Sequence, residues 1–108
     1  MAKYIFIYRE PKVVDMSDIP EEEIAKVMEL WGEWLGNMGK HVVDGGDAFK
    51  AGGKRVSKDG VADTDNLTSG YTSVEAANFD EALEMAQKNP SVADGSVVEV
   101  YEAFGLSE

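Results

Sequence analysis

The sequence predicts an α+β fold, βαββαβ with an extra β-hairpin, in which two helices cover one face of an antiparallel sheet. Three observations lead there. Four stretches rich in β-branched and aromatic residues are separated by two stretches of helical periodicity. The chain of 108 residues, 44% hydrophobic, has the length and core of one domain, taken as 1–108. The first strand, Lys3–Arg9, is apolar on both faces and therefore needs cover on both sides.

Within Lys3–Arg9, alternation sets Tyr4, Phe6 and Tyr8 on one face and Ile5 and Ile7 on the other. Glu10–Ile19, with Pro11, Asp15, Ser17 and Asp18, is a loop. A helix follows at Pro20, its first turn filled by Glu21, Glu22 and Glu23, which complement the helix dipole. Its N-cap lies among Ser17, Asp18 and Ile19, with Asp18 preferred. Ile24, Val27, Met28, Trp31, Leu35 and Met38 repeat at helical spacing, and Gly39 is the expected C-cap. The corner that follows, Trp31–Phe49, carries both tryptophans and the only histidine. Lys40–Asp44 reads as a short strand stopped by Gly45-Gly46, and Lys58-Asp59-Gly60 as the turn of a small hairpin. Gly70–Ala76 is a further strand. Asn78 caps a second helix, Phe79–Lys88, with Glu81 completing a capping box. Asn89-Pro90 ends that helix, and Ser96–Ala103 is the last strand.

This order is the split βαβ arrangement of ferredoxin-like folds. Ile5, Ile7, Val74, Val98 and Val100 suit the helix-covered face. Tyr4, Phe6, Tyr8, Tyr71, Ser73, Glu75, Glu99 and Tyr101 are then expected on the other face. Left open, that face would be a large apolar patch for a monomer. A homodimer with the two sheets face to face is the economical cover.

Composition narrows the function. Ten Lys and Arg stand against twenty-one Asp and Glu, a net charge of −11, which disfavours nucleic acid and anionic membranes as partners. With no cysteine, disulfides, thiolate catalysis and zinc–thiolate sites are excluded. No apolar run reaches membrane-spanning length, and a cytoplasmic location is the default expectation. The aspartates do not follow the order of a calcium loop, and the glycine pairs do not form a phosphate cradle. No metal and no cofactor is expected.

The segments KYIFIYR, WGEWLGNMG, HVVDGG, SKDG and SGYTSVEAANFDEALEMAQKNP, closing on SVVEVYEA, resemble the YCII-related family over nearly the whole chain. Within it they are most similar to the branch labelled with the DGPF motif. The resemblance implies a dimeric α+β barrel with a cleft between the sheet face and the partner. The DGPF element would fall at Asp63-Thr64-Asp65-Asn66, where only the leading Asp is kept. Some relatives are thought to use a His–Asp pair on small ring substrates. The matching positions here are Met28, or near it, and Asn89; neither can do that acid–base work.

Candidate chemistry therefore rests elsewhere. Glu75 and Glu99, in a half-dry cleft, are candidate general acids or bases, or else satisfy partners across the dimer. His41 is a further catalytic candidate, or a partly exposed strand histidine. Tyr4, Phe6, Tyr8, Arg9, Tyr71, Tyr101, Asp44 and Asp63 are candidate ligand contacts. Two functions are compatible with this set. One is a homodimeric module binding a small organic molecule in an aromatic, acidic cleft. The alternative is a metal-independent enzyme of the lyase, isomerase or dehalogenase kind.

Overall fold

The computed structural model describes residues 1–14 and 16–106; Asp15, read above as a turn-former, lies outside them. Its elements are β1 (Ala2–Arg9), α1 (Glu21–Met38), β2 (Val42–Ala48), β3 (Lys54–Ser57), β4 (Gly60–Asp63), β5 (Thr68–Ala76), α2 (Phe79–Gln87) and β6 (Val97–Glu102). Four strands form one antiparallel sheet in the order β2-β5-β1-β6, and β3-β4 make a separate ribbon. Setting the ribbon aside, this is the α+β, ferredoxin-like arrangement. No helix is long and apolar enough to cross a membrane among the described residues.

The core lies between the sheet and the two helices. Tyr4, Phe6 and Tyr8 are buried in it, with Trp34, Met38, Val74, Ala76, Ala82 and Ala86. Tyr4 meets Phe79 edge-on at 5.5 Å, Phe6 lies 6.1 Å from Trp34, and Tyr8 meets Trp31 edge-on at 4.9 Å. These ring pairs fix the helix-facing side of β1, and it is the opposite of the expected one. Tyr4, Phe6 and Tyr8 are not on the open face; Ile5 and Ile7 are. The register explains why: Tyr4 pairs with Val74, and Phe6 with Thr72 and Val100, so the aromatics share the face of Val74 and Val100. The open face therefore has Ile5 and Ile7 at its centre, flanked by Tyr71, Ser73 and Glu75 on β5 and by Glu99 and Tyr101 on β6.

Three element ends also differ. Pro20, not Asp18, is the N-cap of α1: its carbonyl accepts from the Glu23 and Ile24 N–H groups, and Asp18 sits in a short 3-10 turn two residues too early. His41 lies in another 3-10 turn, Gly39–His41, so β2 begins later than expected. It then runs through Gly45-Gly46, which form an irregularity inside the strand and not its end. Gly39 does cap α1, with φ +54° and its N–H donating to Leu35 O. At α2 Asn78 caps the helix as expected, its Oδ1 accepting from Glu81 N–H, while Glu81 Oε1 reaches back past the N-cap to accept from Ala77 N–H, both at 2.9 Å, a bond one residue beyond that of a capping box.

Candidate functional site

At the C-terminal end of β1 a cavity of about 340 Å³ opens between α1 and β2. Its walls are mainly apolar. Tyr8, Trp31 and Leu35 line it from the sheet and helix, and Val14, Met16, Val27 and Met28 stand at its mouth. On the opposite side it meets the backbone of Gly45–Ala48, Phe49 and Tyr71. Met28, at the position where the resemblance puts a histidine, is 64% exposed. The α1 stripe runs on past the sheet here, leaving Val27 and Met28 with nothing to cover them in one chain.

Two features give this cavity a fixed shape. Gly46 adopts φ +79° and lets β2 approach β5 so closely that a Cβ there would lie 1.6 Å from Tyr71 O. Asp44 steadies the turn, its Oδ1 accepting from Gly46 N–H at 2.9 Å. The second feature is a hydroxyl chain. Tyr8 Oη donates to Thr72 Oγ1 at 2.6 Å, and Thr72 donates to Gly45 O at 3.1 Å. With its proton committed, Tyr8 is a donor and not a base.

Burial pushes the Tyr8 phenol far above its ordinary value of 10.0, outweighing the opposing pull of Thr72. The Tyr71 phenol is raised too, chiefly because it donates to Asp44 Oδ2 at 3.1 Å. A folded-state pKa above the unfolded one means stability that is complete below pH 10 and is lost as the pH climbs through the folded value. Absorbance titration of phenolate should accordingly find Tyr8 and Tyr71 less than half ionised at pH 10.0. Tyr8→Phe should delete the latest of these transitions.

Among the described residues, two carboxylates line the cavity, Asp47 on β2 and Glu10 just past the end of β1; Glu10 is the one held by side chains of two distant segments. Ser69 Oγ donates to its Oε1 at 3.1 Å, and Ser96 Oγ donates to Oε2. Ser69 lies at the start of β5 and Ser96 precedes β6, so the carboxylate is held where the strands flanking β1 meet its end. Sequence reading passed over Glu10 because it sits in a loop beside Pro11. The signal available was a lone carboxylate directly after a two-sided apolar strand. Trp31 was read as core, and it is both core and cavity wall.

The residues predicted from sequence do not converge on one point. Tyr8 lines the cavity from the helix side, while Tyr4 and Phe6 are sealed in the core. Glu75 pairs with Lys3 and Glu99 with Ile7, four residues apart along β1, so about 13 Å of strand rise separates them. They share the open face without forming a carboxylate pair. Tyr101 Oη donates to Glu99 Oε1 at 3.4 Å. Arg9 is engaged at the sheet end: its Nη2 contacts Asp65 Oδ2 at 2.8 Å and its Nη1 donates to Thr68 Oγ1 at 2.7 Å. The Leu67 N–H and Arg9 hold the Asp65 carboxyl below its ordinary range. Asp63 belongs to the exposed ribbon, paired with Lys54.

A second depression, about 380 Å³, runs between α1 and α2, lined by His41, Trp34, Met38, Glu33, Glu81, Glu84 and Lys88. His41 Nδ1 lies 2.7 Å from Glu75 O; a carbonyl only accepts, so Nδ1 donates. His41 and Asp44 are not a dyad, since Asp44 is committed to Gly46 and Tyr71. Asn89 is buried, its Oδ1 accepting from Ser91 N–H, and its Nδ2 has no partner among the described residues. It lines neither depression. Of the two, the first has the mainly apolar walls with a few anchored polar groups that small-molecule sites combine. No curated protein matches the chain. The family model of the YCII-related domain matches residues 1–104.

Proposed function

The chain belongs to the YCII-related family, and we propose that it is a homodimeric module binding a small ring compound in the cavity beside Trp31. The observation that carries this reading is the Glu10 carboxylate, anchored by two serines at the wall of a mainly apolar cavity that Asp47 also lines. An ionised carboxylate accepts only, so the ligand must bring a donor, a hydroxyl or an N–H, to it. The rings of Tyr8 and Trp31 favour a planar body.

Surface area supports the dimer. An 11.8 kDa chain exposing 7660 Å² exceeds the roughly 5,900 Å² of a compact monomer by about 1,700 Å². A standard interface hides about 800 Å² per partner. The open face offers Ile5 and Ile7 at its centre for such a contact.

Tryptophan fluorescence during titration with hydroxylated aromatic acids and lactones tests the site. A binder should quench Trp31, and Glu10→Gln should weaken it about tenfold, or roughly 1.4 kcal/mol. Binding that is indifferent to Glu10→Gln would remove the cavity from consideration. The same carboxylate, within a mainly apolar cavity, favours one second reading, metal-independent acid–base catalysis of the lyase, isomerase or dehalogenase kind. Turnover of the bound compound, lost in Glu10→Gln, would select it.

A further inference from the structure

The ribbon of β3 and β4 is exposed at every residue and pairs with no strand of the main sheet. A lone two-stranded hairpin is marginal in water. Its directly paired residues Val56 and Val61 are 78% and 69% exposed, so this apolar cross-strand pair gains nothing from the rest of its own chain.

The root of the ribbon is built with care. Asn66, at φ +57°, accepts from both Gly52 N–H and Gly53 N–H through Oδ1, at 2.9 and 2.8 Å. Thr64 N–H donates to Gly53 O, and Asp65 ties the same turn to Arg9 of β1. A fixed root aims the blade away from the body. The radius of gyration, 15.0 Å, exceeds the roughly 13 Å of a compact chain of this length.

Charge sets the ribbon apart as well. Four of the ten Lys and Arg, Lys50, Lys54, Arg55 and Lys58, fall within 50–63 against two carboxylates, Asp59 and the Lys54-paired Asp63, so the segment keeps a net charge of +2. The body that remains is strongly acidic. A second copy of this chain thus presents the charge this segment attracts.

We propose that the ribbon is an arm that packs its Val56–Val61 side onto a second copy of the chain, drawn there by that copy's acidic body. This rests on the homodimer of the reading above and adds a contact outside the facing sheets. By two-fold symmetry each subunit gives one arm and receives one.

Mixing uniformly carbon-labelled and unlabelled protein, then recording isotope-filtered NOEs, tests the arm directly. Intersubunit NOEs from the Val56 and Val61 methyls are expected. Val56→Glu with Val61→Glu removes the apolar pair and the charge attraction together and should weaken dimerisation at least tenfold in sedimentation velocity while leaving the circular dichroism of the subunit unchanged, since both side chains are exposed within one chain. A dimer with no such NOEs, or with an unchanged Kd in the double variant, overturns the arm and leaves the facing sheets standing. A monomer overturns both.

Discussion

Gly46→Ala is expected to destabilise the protein by at least about 3 kcal/mol. A non-glycine residue held at positive φ costs on the order of 1–3 kcal/mol by itself. At Gly46 the added Cβ would also fall 1.6 Å from Tyr71 O, a backbone atom that can retreat only by parting β2 from β5. A loss of 3 kcal/mol in a domain of this size lowers Tm by roughly 12–24 °C, which calorimetry reads directly. Gly52→Ala is the control. It shares a positive φ of +101°, but nothing lies within 4 Å of its Cβ, so it should show the conformational cost alone. Equal effects at the two positions would mean that the close approach of β2 and β5 is not rigid. Because Gly45, Gly46 and Asp47 line the cavity, ligand binding should fail in Gly46→Ala even below its Tm.

Ile7→Asp should abolish the proposed homodimer and leave monomers. Ile7 sits at the centre of the open face between Tyr71 and Glu99. In a single chain a charge there reaches water and changes stability by about 1 kcal/mol or less. In a two-fold interface the substitution places two carboxylates in a dry contact without a cation. Association weakened by about 3 kcal/mol raises Kd roughly a hundredfold, measurable by analytical ultracentrifugation. Phe6→Asp does not test the same thing. Phe6 is completely buried against Trp34, so that substitution breaks the core of each subunit before association is reached.

The difference between Phe6 and Ile7 marks the limit of what the sequence could say about this fold. Alternation along a strand states which side chains share a face, and it did so correctly for β1. Which face looks at the helices depends on the pairing of Tyr4 with Val74 and of Phe6 with Val100, a property of register between distant strands. In β5 and β6, where one face is valine and the other polar, composition settled the matter. In β1 both faces are apolar, and a preference for aliphatic residues under the helices gave the reversed answer. Asn78 and Gly39 were legible because a cap depends on its own few neighbours. The irregularity at Gly45-Gly46 was not, since a glycine pair ends strands as readily as it bends them. Glu10 was missed for a related reason: its role comes from Ser69 and Ser96, both far along the chain, converging on one carboxylate.

The sheet order β2-β5-β1-β6 also bears on how the chain reaches this state. β1 lies between strands that follow it by nearly the whole length of the chain: Ile5 pairs with Ser73 and with Tyr101. Contacts this distant in sequence are slow to form, because a long loop must close before any hydrogen bond rewards it. At synthesis rates of about 5–20 residues per second, β1 leaves the ribosome roughly 5–20 seconds before β6 exists to pair with it. Until β5 emerges, which is most of that interval, a strand apolar on both sides has neither neighbour. The nascent chain is therefore most vulnerable at the segment that ends as its most protected one, and the helices, which form locally, must hold the hydrophobic load until the sheet closes around it.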